Sequence, residues 1–156
     1  MSSSGRNSVR LRTAAVVAAL AAFATAEAGE AAIETTTTGT VCCPFHAGQL
    51  ENFGGYKFRG RTRPSQAGQF VYFLYKRPAA TRWHKFKVGL GGSDGPGFYV
   101  LNKNRPRDAI NRRHRWSVYF TPSVRQGYWK IRARFPSQDG YARSAVTKRY
   151  WVWQSE

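Results

Sequence analysis

The chain has 156 residues, about one domain's worth. It carries 25 Lys and Arg against 8 Asp and Glu, a formal charge of +17, with 15% aromatic residues. That aromatic content excludes disorder over most of the length, the scarcity of Leu, Ala and Glu beyond residue 33 excludes a helical bundle, and so few carboxylates leave little for acid–base catalysis or hard-cation sites.

Arg6, Arg10 and Arg12 open the chain, and an apolar run follows from Thr13 to Ala24. Ala24-Thr25-Ala26, or Ala26-Glu27-Ala28, then supplies a small-residue cleavage site. These are the parts of a secretory signal peptide, and the run is shorter than the about 20 residues of a resident bilayer helix. Residues 1–26 are therefore expected to be a signal peptide. The protein is expected to be secreted, extracellular or cell-wall associated, with no transmembrane segment after cleavage. Residues 27–50 follow, small and polar, with Thr35-Thr36-Thr37-Thr38 among them. They read as a flexible N-terminal segment or extended lead-in.

Cys42 and Cys43 are the only cysteines, and they are adjacent. An exported protein meets an oxidising environment, where cysteines pair. Neighbours close no loop, so they cannot staple this fold. A vicinal disulfide, bridges to a second chain, and free thiols remain open. A metal site with His46 is poorly supported, because adjacent side chains of an extended segment point to opposite sides. No metal or cofactor is expected.

From residue 51 to 156 the pattern has period two. Tyr56–Arg59 alternates, Pro64–Gly68 turns, and Gln69–Arg77 is nearly continuous in apolar residues, as at a sheet centre. Pro78–Thr81 turns the chain. Trp83–Leu90 reads as one strand with His84, Phe86, Val88 and Leu90 on one face. Gly91–Gly97 is a loop, Phe98–Leu101 a strand, and Lys103–Arg115 a basic connection. Trp116–Thr121 is the next strand. Tyr128–Phe135 alternates most clearly, with Trp129, Ile131, Ala133 and Phe135 opposite Tyr128, Lys130, Arg132 and Arg134. A last strand runs from about Ala145 to Gln154. About seven strands without a helix predict an all-β fold, an antiparallel sandwich or barrel.

The segment Gly127-Tyr128-Trp129-Lys130-Ile131-Arg132-Ala133-Arg134-Phe135-Pro136, followed by Asp139-Gly140-Tyr141, Ser144 and the closing strand, resembles the end of bacterial immunoglobulin-like domains. Such domains recur in secreted and surface proteins of actinobacteria. Val71, Phe73, Trp83 and Ser93-Asp94-Gly95 ahead of Phe98 fall in the same order. The resemblance spans roughly Gly54 to Trp153 and implies an immunoglobulin-like antiparallel β-sandwich. It carries no catalytic motif. The arginine-rich stretch before Trp116 and the adjacent cysteines depart from it.

Between Lys57 and Arg149 lie 22 of the 25 Lys and Arg, against three acids, Asp94, Asp108 and Asp139. Asp94 and Asp139 stand beside glycines in turns, where carboxylates cap backbone. No carboxylate pair for glycoside hydrolysis can be argued, and His46, His84 and His114 are scattered. The chain is therefore not expected to be an enzyme.

Arg105, Arg107, Arg112, Arg113 and Arg115 gather in one connection, and Lys130, Arg132 and Arg134 share a strand face. Guanidinium forks suit phosphate and sulfate. These eight are the expected polyanion-binding residues, with Arg112, Arg113 and Arg115 dominant. The expected function is a non-enzymatic binding or structural module contacting an anionic polymer at the cell envelope: a wall polymer, acidic lipid or extracellular nucleic acid. The alternative is a protein–protein module, disulfide-linked through Cys42 or Cys43 as a dimer. A small secreted hydrolase comes third. Trp151 and Trp153 share one side of the last strand, which alone does not fix whether they face core or solvent.

Overall fold

Alternating side chains separated by Gly- and Pro-rich turns dictate strands, and strands are what form. A computed structural model describes residues 31–46, 54–89 and 94–153, with no helix among them. The signal peptide expected over 1–26 lies outside the described residues.

The strands are β1 (Thr36–His46), β2 (Gly54–Arg63), β3 (Phe70–Lys76), β4 (His84–Lys85), β5 (Lys87–Val88), β6 (Gly97–Val100), β7 (Arg107–Ala109), β8 (Arg115–Ser123), β9 (Gly127–Phe135) and β10 (Ser144–Val152). They form two sheets rather than a barrel. The first has the order β1-β2-β8-β6-β5; the second has the order β10-β9-β3-β4, with β7 also pairing β3.

Ten strands among the described residues, against about seven expected, come from three differences. β1 occupies part of the segment expected to be a flexible lead-in. It pairs along β2 from Thr36↔Arg63 to His46↔Gly54. Threonine is β-branched and favours strands, so the polar Thr run that resembles a linker is an edge strand. Ahead of it, Ile33 donates its amide to the Gly140 carbonyl and accepts from the Ala142 amide, both at 2.8 Å. Second, Trp83–Leu90 is not one strand. β4 pairs with β3 in the second sheet, whereas β5 pairs with β6 in the first. Phe86, between them, is 2% exposed, while His84 and Val88 face solvent. A chain crossing between layers buries one apolar plug, and a few residues of alternation cannot distinguish that from a strand. Third, β7 interrupts the basic connection.

The core lies between the sheets. Inward positions are Val71, Phe73 and Tyr75 on β3, Trp116, Val118 and Phe120 on β8, and Trp129, Ile131, Ala133 and Phe135 on β9. Phe98 is fully buried among Tyr75, Phe86, Phe120 and Trp129, with ring centroids 4.8–5.8 Å away. Full burial of one such side chain contributes roughly 1.5–3 kcal/mol.

Trp116 needs special room. Gly60 pairs with both Gly39 and Trp116, and the indole lies against the two glycines. A Cβ at Gly60 would stand 2.0 Å from the Thr38 carbonyl oxygen and 2.3 Å from Trp116 Cζ2. Hydroxyls close this corner of the sandwich. Thr37 bonds Thr62 at 3.0 Å and Ser144 at 2.7 Å, joining the first sheet to β10.

Candidate functional site

Inward core positions leave the alternate residues outward, and the strand register decides which of them meet. On the second sheet, Lys76 of β3 stands opposite Lys130 of β9, which stands opposite Arg149 of β10. The next row holds Lys85, Leu74, Arg132 and Thr147. The row beyond holds Arg107, Tyr72, Arg134 and Ala145. Strands lie about 4.8 Å apart, and successive outward residues on one strand about 6.8 Å apart. The face is thus a grid of seven cations. No carboxylate holds an outward position among the described residues of these strands. Like charges directly opposite are destabilising, so this arrangement carries a folding cost.

Aromatic rings organise the cations. The Arg107 guanidinium carbon is 3.9 Å from the Phe70 ring centroid, that of Arg132 is 4.1 Å from Trp83, and that of Arg149 is 3.8 Å from Tyr128. Lys76 Nζ approaches the same Trp83 ring at 5.1 Å. Arg107 also donates to the Tyr72 hydroxyl at 3.3 Å, and Arg132 Nε to the Thr147 hydroxyl at 2.9 Å. Stacking on a ring limits side-chain freedom while leaving guanidinium N–H groups for an anion. Burial, and after it the charge of Arg134, lowers the Arg132 pKa below the ordinary arginine value. The group remains a cation at physiological pH.

One end of the face is aromatic. Trp151 pairs with Tyr128, ring centroids 4.6 Å apart, and Trp153 follows at 5.7 Å, 69% exposed. Val152 is buried. Both tryptophans therefore lie on the outer side.

The arginine-rich connection is divided rather than gathered. Arg107 joins the second-sheet grid and Arg115 joins the outer face of the first sheet. Arg112 and Arg113 are exposed on the turn between them, and Arg105 is exposed ahead of β7. Asn111 builds that turn: its Oδ1 accepts from the amides of Arg113 and Arg115 at 2.9 and 3.0 Å. His114 adopts φ 60, and its carbonyl accepts from the Thr62 amide at 3.1 Å. Of the eight expected residues, Arg107, Lys130, Arg132 and Arg134 share a surface. Lys76, Lys85 and Arg149 belong to it too, though no local cluster marks them in the sequence.

The first sheet has its own basic region. Lys57, Arg59 and Arg61 point outward from β2, with Arg61 opposite Arg115 on β8. They line a groove of about 680 Å³ bounded by Thr38, Thr40 and Asn111. Its carboxylate, Asp108, is already engaged: Oδ1 pairs with Lys103 Nζ at 2.6 Å, and Oδ2 accepts the Ser117 amide at 2.7 Å.

Cys42 lies on β1 beside a register irregularity between Cys42 and Pro44. Its thiol is half-buried, in a cleft with Lys148 and Tyr150, and forms no disulfide among the described residues. The side chain of Cys43 lies outside the described residues. Among the described residues no group of three or more His, Cys, Asp or Glu could hold a metal ion. Comparison with known proteins gives no matching family model, no matching curated protein and no matching solved structure.

Proposed function

We propose that this chain is an exported, non-enzymatic binding module that holds anionic polymers at the cell envelope through the outer face of its second sheet. The signal peptide over 1–26 belongs to this reading, as does an immunoglobulin-like type for the sandwich. Strand order supports that type: an immunoglobulin constant-type domain sets strands A, B, E and D in one sheet and C, F and G in the other. The orders β1-β2-β8-β6 and β10-β9-β3 follow the same connectivity. The chain differs in having no inter-sheet cysteine pair and in carrying its buried tryptophans on β8 and β9.

The observation that carries the function is the row Lys76, Lys130 and Arg149, three cations in register across three strands without a carboxylate beside them. A surface kept basic for solubility gains nothing from placing like charges directly opposite. A surface that meets a polyanion recovers the repulsion when it binds. The rings under Arg107, Arg132 and Arg149 already carry guanidinium groups, so the face suits pendant phosphate, sulfate or carboxylate groups better than stacked bases.

The test is elution of purified protein from a sulfated-polysaccharide column in a salt gradient. The variant with Lys130→Gln, Arg132→Gln, Arg134→Gln and Arg149→Gln is expected to elute at much lower salt, because fewer counterions are released. Arg112→Ala with Arg113→Ala is expected to shift elution less. Unchanged elution of the four-site variant would overturn the reading.

A second reading, a protein–protein module linked through Cys42 or Cys43, draws support from their place on an edge strand, where another chain can pair. A dimer band on non-reducing electrophoresis that disappears on reduction would favour it.

A further inference from the structure

We infer that the groove on the first sheet is a second, discrete site for a phosphate- or sulfate-bearing sugar. It lies on different strands from the surface proposed above, and each site can fail without the other. Four cations line it: Lys57, Arg59, Arg61 and Arg115. They come from two neighbouring strands, and Arg61 faces Arg115 in register.

Local chemistry leaves these cations available. Asp108 is spent on Lys103 and on the Ser117 amide. Lys57 Nζ rests 4.8 Å over the Tyr119 ring, which carries no countercharge. Arg59, Arg61 and Arg115 are exposed, and no carboxylate pairs with them among the described residues. A groove with four cations and one neutralised acid is an anion receptor, and two or three guanidinium forks match a tetrahedral oxyanion.

Shape and the remaining lining extend the argument from an ion to a sugar. A volume of about 680 Å³ exceeds what one inorganic anion fills and falls in the range of small-molecule sites. Thr38, Thr40 and Asn111 also line the groove, the Thr40 hydroxyl within 3.4 Å of the Val41 carbonyl. The Asn111 oxygen is taken by two backbone amides, so its NH₂ is the group left to donate. Hydroxyl-bearing and amide residues beside four cations suit a ligand carrying hydroxyls and an oxyanion together.

The positions are fixed rather than loose. β1 and β2 are in continuous register through this region, from Thr36↔Arg63 to Cys42↔Lys57. The turn that delivers Arg115 is tied to β2 through the His114 carbonyl and the Thr62 amide, and to Ser65 through His114 Nδ1 at 3.1 Å. A preorganised site saves ordering cost on binding.

Calorimetric titration of the purified protein at physiological salt tests this with four probes: glucose 6-phosphate, glucose 6-sulfate, glucose and inorganic phosphate. The expected result is saturable one-to-one binding of a charged sugar, at least about tenfold tighter than glucose or inorganic phosphate. Preference between phosphate and sulfate identifies the source of the oxyanion. Arg59→Gln with Arg61→Gln and Arg115→Gln should weaken this binding by about tenfold or more, while the four-site second-sheet variant keeps it. All three side chains are exposed, so the triple variant should melt with the parent; the single Arg59→Gln variant serves the same titration if it does not. Absence of saturable binding, equal binding of inorganic phosphate, or binding that survives the triple variant would overturn the inference.

Discussion

Arg132 sets its guanidinium carbon 4.1 Å from the ring centre of Trp83, and its cross-strand partner on β3 is Leu74, 9% exposed. One indole thereby holds two cations in place, since Lys76 approaches it as well. Trp83→Ala should release both. The expected loss is about 1–2 kcal/mol in denaturant unfolding, together with earlier elution from an anionic column. Arg132→Lys keeps the charge but loses the planar stack, and should fall between parent and Trp83→Ala in retention.

Lys130 faces a cation on each side, Lys76 and Arg149. Lys130→Gln should raise stability by a few tenths of a kcal/mol at low ionic strength. At about 1 M salt, where the screening length is about 3 Å, the gain should vanish. Melting curves of parent and variant at two salt concentrations decide it. A variant less stable than the parent at low salt would mean that the repulsion is already relieved within the fold.

Tyr150 buries its hydroxyl beside Tyr56, the two ring centroids 4.9 Å apart. Burial, and then the neighbouring Tyr56, raises its pKa above the ordinary 10.0. A folded-state pKa raised above the unfolded one means that the folded chain resists losing this proton. Its contribution is fully present below about pH 10 and declines as pH rises beyond it. Alkaline unfolding should therefore set in above pH 10, and Tyr150→Phe should flatten that decline.

The pair Gly39 and Gly60 can be separated from glycines that matter for backbone conformation alone. Gly60→Ala drives a Cβ into the Thr38 carbonyl and the Trp116 ring, neither of which can yield cheaply, and should cost more than about 3 kcal/mol. Gly68→Ala meets no atom within 4 Å but requires φ 93; its cost should be about 1 kcal/mol. Thermal melts of the two variants should differ clearly. Equal melting temperatures would remove the role assigned to the Trp116 cradle.

Much of the core was legible because a strand with one wet face writes its orientation into the sequence. Trp129, Ile131, Ala133 and Phe135 are buried as the alternation of β9 predicts. What was not legible depends on partners far away in the chain. Arg61 and Arg115 meet only through the register of β2 with β8, and Lys76 reaches Arg149 only through Lys130. Clustering along the sequence marks Arg112 and Arg113, which stand exposed on the turn capped by Asn111. The Thr run of β1 carries low complexity and strand propensity together, and only its pairing with β2 decides between them. The outward placement of Trp151 and Trp153 likewise required the pairing with β9.

The two basic regions belong to the outer faces of opposite sheets, with the aromatic core between them. A ligand strand on one face cannot compete sterically with one on the other. If both faces bind as proposed, such a molecule would have a valence of two, and its behaviour with long polymers would become a matter of stoichiometry. Near matched charge it would knit separate chains into a network, and in large excess it would coat each chain singly and dissolve the network again. Turbidity against mixing ratio would rise and fall, and a protein with one face neutralised would lose the rise.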